Sequence, residues 1–223
     1  MKTIIYIDGY NLYYGCLKDS LDKWLDIKIL FFDKIVKVQD NSSQLLKIKF
    51  FTAPVKASVA SHGNKACTSQ STYHNALKKC YPDIVEITNG YYSLEKATPL
   101  EYIKPPNKSH RVTTWKLEEK QTDVNIAIAA YRDATKSDVE QLVFVSNDTD
   151  LVPALAAIQE DYPHKIIGVI IPVRDNSPRL GNKQFSQYVK WTRNYITDKE
   201  LSDSHLPNTI PTNKKPIKKP DYW

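Results

Sequence analysis

The sequence predicts an α/β fold: a single three-layer α/β/α domain with a mainly parallel central sheet. Short apolar runs alternate along the chain with helical patterns of about 10–15 residues, as in proteins built from strand–helix–strand units. Three of the runs are apolar throughout, which is typical of parallel strands covered on both faces. The chain has 223 residues and no internal repeat, and nothing in it indicates a convincing second domain.

The first half of the chain contains three predicted strands, which are rich in β-branched and aromatic residues. The first ends at Asp8-Gly9, a polar turn. Prolines at 99, 105 and 106 indicate a loop or a short hairpin over 91–110. The predicted strands are residues 2–7, 44–52 and 83–88, and the predicted helices are 11–18, 29–38 and 62–80.

The second half continues the alternation and ends in a tail of different composition. A strand-like stretch at 111–117 precedes a predicted helix at 122–134. We expect one domain over 1–206, followed by a basic, Pro-rich and disordered tail over 207–223. The remaining predicted elements are strands at 141–146 and 166–171, a helix at 149–160 and a short helix within 181–194.

Composition excludes several classes of protein. No apolar run approaches the ~18 residues that cross a bilayer, so no membrane partner is expected. The start has only four apolar residues before Asp8 and does not resemble a secretory signal. The three cysteines have no CxxC spacing, which argues against a disulfide framework or a zinc site. We therefore predict a soluble cytoplasmic protein.

The net charge of +6 permits a polyanionic partner without establishing one. Part of the excess lies in the tail, where four lysines accompany one aspartate. The tail also ends in Tyr222-Trp223, an apolar pair after a flexible basic segment. It is therefore open to three interpretations: inert disorder, loose contact with RNA, or docking to a protein partner.

Aspartates follow the predicted strands at what should be one edge of the sheet. Asp8 follows the first strand, Asp148 and Asp150 follow the strand at 141–146, and Asp123 lies at the start of the helix at 122–134. Each alone can be an N-cap, most easily Asp123 and Asp150. Four clustered carboxylates repel one another unless protons or a cation offset them. Hard oxygen ligands suit Mg²⁺ or Mn²⁺, so the cluster predicts metal-assisted phosphodiester hydrolysis.

Three strings around these acids resemble the motifs of a known family. YIDGYNLYYG, KQTDVNIAIAA and FVSNDTDLVPAL are similar, in order and spacing, to the motifs of NYN-domain proteins. These proteins belong to the PIN-like nuclease superfamily and include the bacterial LabA-like group. The resemblance covers roughly residues 1–172 and implies a PIN-like fold with a divalent-metal ribonuclease centre.

The resemblance also implies roles for individual residues. Asp8, Asp123 and Asp148 would hold Mg²⁺ or Mn²⁺, and Asp150 would complete the metal shell or orient a ligand. Asn11, of the family's DxxN pattern, and Ser146 would orient the attacking water, an acid or the phosphate. Tyr10 is a candidate for base stacking in single-stranded RNA. The chain departs from the family at Asn147, where Gly is common; we expect Asn147 to tolerate the left-handed turn.

Alternatives remain open at this point. The same fold can act as a non-catalytic RNA-binding or regulatory module, or as a structure-specific DNA nuclease. A phosphatase of the DxD type is disfavoured because Tyr10 occupies the position of its general acid. No P-loop and no GxGxxG string occurs. RNA is the expected partner, and the many tyrosines are compatible with a homodimer. Basic residues at Lys56, His62 and Lys65, and within 104–111, were further candidates for phosphate contacts.

Overall fold

A six-stranded parallel sheet forms the centre of the molecule and confirms the predicted α/β fold. The computed structural model describes residues 1–177 and 183–223. The strands of this sheet are β1 (Lys2–Asp8), β2 (Gln44–Thr52), β3 (Val85–Asn89), β6 (Gln141–Val145), β7 (Ile166–Ile170) and β8 (Trp191–Arg193). They lie in the order β3-β2-β1-β6-β7-β8, and each neighbouring pair is parallel.

Helices cover both faces of the sheet and create two apolar cores. The helices are α1 (Gly9–Leu12, continued by a π-helix Tyr13–Leu17), a π-helix Ile29–Val36 continued by α2 (Lys37–Gln39), α3 (Asn64–Cys80), α4 (Thr122–Ala134), α5 (Val152–Asp161, after a 3₁₀ turn Thr149–Leu151) and α6 (Asp198–Ser202). On one face of the sheet, Ile5 and Ile7 of β1 pack with Tyr73 and Leu77 of α3. On the other face, Ile4 and Tyr6 lie in a core with residues of α4 and α5.

The irregular stretch after β3 is an antiparallel excursion from the sheet. β4 (Tyr91–Ala97) pairs with β5 (Thr114–Lys120) along their whole length. The predicted short hairpin therefore exists, with long arms and the prolines in its connecting loop. The strand predicted at 111–117 belongs to this hairpin and not to the central sheet, because its solvent-facing pattern carries too few apolar residues for a buried strand.

The tail differs from its predicted disorder. β9 (Thr209–Ile210) pairs with β10 (Ile217–Lys218), and Trp223 packs against Trp24 and Tyr73 of the core. The indole nitrogen of the buried Trp24 also donates to the Pro207 carbonyl at 3.0 Å. The lysines and prolines give this segment the composition of a disordered tail, and composition does not show the apolar contacts that order it.

The short helix predicted within 181–194 is present in another form, and one strand of the sheet was not predicted. The short helix predicted within 181–194 is a 3₁₀ helix at Lys183–Gln187, and residues 178–182 lie outside the described part of the chain. The edge strand β8 was not predicted, because three residues are too short to show a period. No helix among the described residues is long and apolar enough to cross a membrane.

Candidate active site at the carboxyl edge of the sheet

Asp8 is the centre of a polar network where β1 ends. Its side chain is buried, with 2% of the residue exposed. It accepts hydrogen bonds from the Asn11 backbone at 2.9 Å, the Asn11 side-chain amide at 2.6 Å and the Ser146 hydroxyl at 2.9 Å. The structure thus brings together three predicted site residues: Asp8 at the end of β1, Asn11 of α1 and Ser146 directly after β6. All three partners are neutral, so they orient the carboxylate without offsetting its charge.

Two of the aspartates cap helices, but not the two for which capping was the easiest explanation. Asp8 caps α1 through the Asn11 N–H, and Asp148 caps the 3₁₀ turn by accepting from the Asp150 N–H at 3.0 Å. The N-cap of α4 is Gln121, in a left-handed conformation and without a side-chain cap. Asp123 therefore has no capping role, which leaves its charge free for another purpose.

Gly9 allows the chain to turn directly from β1 into α1. A Cβ at this position would lie 2.7 Å from the Phe51 carbonyl oxygen on β2. Glycine is therefore required for the close approach of the two backbones. This approach places Asp8 at the strand end and Asn11 one turn later, within hydrogen-bond distance of it.

The charges of the acids influence one another's pKa values. Burial, followed by the charges of Asp8, Asp148 and Asp150, raises the pKa of Asp123 to about 6. Burial also raises the pKa of Asp8 against its hydrogen bonds, with a further contribution from Asp148. The prediction that four acids gather at one edge rested partly on a strand before Asp123 in the central sheet. That strand is in the hairpin, and Asp123 reaches the edge from the N-terminus of α4 instead.

Glu119 is a fifth acid at this edge, which the sequence analysis missed. Burial, with the charges of Asp8 and Asp123, raises its pKa to about 7 against a hydrogen bond from Thr122. The Thr122 hydroxyl donates to Glu119 at 2.5 Å. Glu119 lies on β5, directly before the motif KQTDVNIAIAA, and the available signal was its closeness to that motif.

Asn147 follows a different backbone path from the one expected. Among the described non-glycine residues, positive φ occurs at Asp19 and Gln121, not at Asn147. The left-handed turn inferred for Asn147 is therefore wrong. Its N–H instead approaches the Asn11 side-chain oxygen at 3.4 Å, a long contact that ties the β6 loop to α1.

The carboxylate groups of these acids suit a divalent cation by their chemistry, but their arrangement does not enclose one. The acids offer only carboxylate oxygens, the ligands that Mg²⁺ and Mn²⁺ prefer. Within the described residues, however, no three His, Cys, Asp or Glu side chains are placed to ligate one ion together. For three of these side chains to bind one ion, some of the aspartate side chains would have to move toward one another.

Tyr10 lies between this acidic edge and an adjoining cavity. The residue is 41% exposed, and its ring centroid lies 4.5 Å from that of Tyr14. Lys56 and His62, two of the basic candidates, line the same cavity, whereas no residue of 104–111 does. Tyr10 is therefore placed where a base could stack beside the acids.

Comparison with known proteins identifies the family. Residues 2–190 match the NYN domain. The whole chain is 38% identical to 6-hydroxy-3-succinoylpyridine 3-monooxygenase HspA of Pseudomonas putida, over 239 aligned positions covering 75% of that protein. A crystal structure of a protein of unknown function from Vibrio parahaemolyticus shares the fold, with a TM-score of 0.52 and 20% identity, covering 92% of this chain and 96% of that one.

The NYN match suggests a nuclease, whereas the name of the Pseudomonas relative describes a different reaction. The match extends over most of the chain and includes all three motifs around the acids. The sheet order and the helices on both faces agree with the PIN-like fold. This chain therefore belongs to the NYN domain family, part of the PIN-like nuclease superfamily.

Proposed function

We propose that the protein is a divalent-metal-dependent ribonuclease that hydrolyses phosphodiester bonds at the carboxyl edge of the sheet. The observation that carries the proposal is a group of uncompensated acids. The pKa values of Asp8, Asp123 and Glu119 are raised by burial and by neighbouring carboxylates, and no lysine or arginine is among the main causes of these shifts. Clustered carboxylates of this kind repel one another unless protons or a cation offset their charge.

The individual residues have distinct tasks in this proposal. Asp8, Asp123, Asp148 and Asp150 would hold Mg²⁺ or Mn²⁺, which would supply an activated water and neutralise charge on the phosphoryl oxygens. Asn11 and Ser146 hold the Asp8 carboxylate in one orientation. The Ser146 hydroxyl also accepts from the Asp148 N–H at 3.1 Å, so a single side chain positions both acids.

Tyr10 favours a single-stranded substrate. Its ring is partly exposed, and burial of the rest of the side chain, followed by Tyr14, Glu119 and Asp8, raises the pKa of its hydroxyl. A base can stack on such a ring only after it has left a duplex. RNA as the natural partner, a cytoplasmic location and a homodimer remain predictions of the sequence.

The test compares labelled single-stranded RNA, tRNA and DNA with Mg²⁺ or Mn²⁺. We expect Mn²⁺-dependent or Mg²⁺-dependent cleavage of RNA, and none in EDTA. Asp148→Asn should abolish cleavage, while Asp83→Asn, an exposed aspartate before β3, is the matched control. Cleavage that persists in EDTA, or in Asp148→Asn, would overturn the proposal.

A second candidate is hydroxylation of a pyridine ring, favoured by the whole-length match to the Pseudomonas monooxygenase. Such a reaction inserts one oxygen atom of O₂ and reduces the other to water, using two electrons from a reductant. The chain has no GxGxxG string for a dinucleotide. Oxygen uptake on adding 6-hydroxy-3-succinoylpyridine and a nicotinamide reductant, together with no RNA cleavage, would select this candidate over the nuclease.

A further inference from the structure

A cavity of about 680 Å³ adjoins the acidic edge on the side of α3. Its volume lies in the range of small-molecule sites, roughly 300–1,000 Å³. One wall is formed by the α1 segment, and another by the loop after β2. Tyr92 of β4 also lines the cavity, and burial, with contributions from Glu119 and Asp8 among others, raises the pKa of that tyrosine.

The α1 wall presents a group of partly exposed aromatic rings. Tyr10, Tyr13 and Tyr14 are 41%, 39% and 42% exposed. The Tyr14 ring lies 4.5 Å from Tyr10 and 5.2 Å from Tyr13, measured between centroids. Because these rings pack on one another rather than into the core, they leave faces available to a further planar ring.

Cationic side chains accompany the rings. Lys18 places its ammonium group 5.3 Å from the Tyr14 ring centroid, and Lys56 lines the cavity from the β2 loop. Within the described residues neither lysine forms a salt bridge with a carboxylate. The cavity thus offers positive charge that the protein itself leaves unpaired.

The last two residues complete the opposite wall. The Tyr222 ring lies 4.6 Å from that of His62, and Trp223 is fixed against Trp24 and Tyr73. The Tyr222 hydroxyl is buried, and it has no hydrogen-bond partner within the described part of the chain. Because that hydroxyl is buried, Tyr222 contributes its ring rather than its hydroxyl to the wall of the cavity.

We propose that this cavity binds a planar heteroaromatic ring that carries an anionic group. The ring stacks on the exposed tyrosines of α1, and the anion approaches Lys18 and Lys56. A nucleotide of an RNA strand and a free pyridine carboxylate share this chemistry. The inference deepens the proposed function and rests on it only for the choice between these sources.

The test is calorimetric titration of the full-length chain in EDTA, which prevents metal-dependent turnover. The probes are uridine 5′-monophosphate and pyridine-3-carboxylate, with uridine and inorganic phosphate as controls for the ring alone and the anion alone. We expect saturable binding of at least one ring–anion probe, about tenfold or more tighter than either control, or about 1.4 kcal/mol. Tighter binding of the nucleotide assigns the cavity to RNA, and tighter binding of the pyridine acid assigns it to a small metabolite.

The variants are matched by their local chemistry. Tyr14→Ala and Lys56→Gln should each weaken the probe about tenfold. Tyr102→Ala is the control for Tyr14, because Tyr102 also lies under a lysine, with Lys104 at 5.7 Å, but outside the cavity. Lys104→Gln is the control for Lys56. Unchanged thermal unfolding would show that all four variants are folded.

Two results would overturn the inference: no saturable binding of either ring–anion probe, or equal binding in Tyr14→Ala and Lys56→Gln. Failure of the nuclease proposal has a different signature. Ring binding without RNA cleavage in Mn²⁺ rejects only the nuclease, whereas cleavage without ring binding rejects only the cavity.

Discussion

Three aspartates, Asp8, Asp26 and Asp133, are almost fully buried in this molecule, and the surroundings of Asp8 and Asp133 differ in kind. Asp8 is 2% exposed and Asp133 is 1% exposed. Asp133 accepts hydrogen bonds from Lys49 at 2.6 Å, Lys136 at 2.7 Å and the Tyr6 hydroxyl at 2.8 Å. Asp8 has only neutral donors and further acids nearby. The charge of Asp133 is balanced by two lysines, whereas the charge of Asp8 has no cationic partner among the described residues.

The pKa shifts of the two groups follow from this difference. Burial raises the pKa of both carboxyls. At Asp133 the hydrogen bonds and charge of the two lysines and Tyr6 outweigh burial and lower the pKa. At Asp8 the neutral hydrogen bonds only moderate the rise. Asp133 is therefore balanced within the fold, whereas Asp8 is not, which supports the proposed role of Asp8 in binding a cation.

The largest expected effect is on activity, in Asp8→Asn. We expect loss of RNA cleavage by at least about 100-fold, because the variant removes a charge that no neighbouring group replaces. The free energy of unfolding should change by less than about 1 kcal/mol, since the amide oxygen can still accept from the Asn11 N–H and the amide nitrogen can donate to the Ser146 hydroxyl oxygen once that hydroxyl rotates. Cleavage assays and urea unfolding in EDTA measure the two quantities.

Asp133→Asn provides the contrast for this first experiment. It should cleave RNA at nearly the wild-type rate per folded molecule, because Asp133 belongs to the core on the α4 face and not to the acidic edge. If Asp8→Asn destabilises the fold as strongly as Asp133→Asn and keeps its activity, Asp8 is a structural acid and the comparison fails.

The second effect is on stability, in Asp133→Asn. We expect a loss of about 2–3 kcal/mol, because Lys49 and Tyr6 would lose their shared carboxylate in a largely buried place. This loss of unfolding free energy should be smaller than the largest losses found when a buried ion pair is broken, because Lys136 is 55% exposed and its ammonium group can be solvated instead. Urea unfolding at neutral pH measures it. Lys136→Met is the milder control, because it removes only the exposed partner; equal losses would contradict this reasoning.

Much of the fold was predictable because buried parallel strands leave a strong signal. The apolar runs that became β1, β6 and β7 and the periodic helix α4 have nearly the predicted bounds. The elements that escaped prediction depend on long-range contacts. The three-residue strand β8 is stabilised by pairing with β7, and the tail is ordered by Trp223 against the core. No local pattern records such contacts.

The candidate site was predictable to a similar degree. The motif order led to Asp8, Asn11 and Ser146, which the structure connects by hydrogen bonds. Glu119 was missed because it lies on a hairpin whose folding toward α4 is a tertiary feature. The pairing of Asp133 with Lys49 was equally hidden, because the two residues are 84 positions apart in sequence.

The smallest expected effect is a pair of opposite pH dependences of stability. The raised pKa of Asp123, about 6 against the ordinary 3.8, means that folding favours its protonated form. The stability that Asp123 contributes is therefore full below about pH 3.8 and is lost as the pH rises through about 6. The lowered pKa of Asp133 has the reverse sign: its contribution is present above pH 3.8 and is lost as the pH falls below it.

Urea unfolding from pH 3 to pH 7 in EDTA, with Asp123→Asn and Asp133→Asn as references, separates the two slopes. Between pH 4 and pH 6.5 the wild type should lose about 1 kcal/mol relative to Asp123→Asn, a value reduced because Asp123 is only half-buried and partly screened by solvent. Relative to Asp133→Asn, it should instead lose stability below about pH 4. Saturating Mg²⁺ should remove the first loss, since a bound cation offsets the charge that a proton offsets at low pH. A wild type that gains stability over Asp123→Asn as the pH rises would mean that the acidic edge is compensated within the fold, just as Asp133 is.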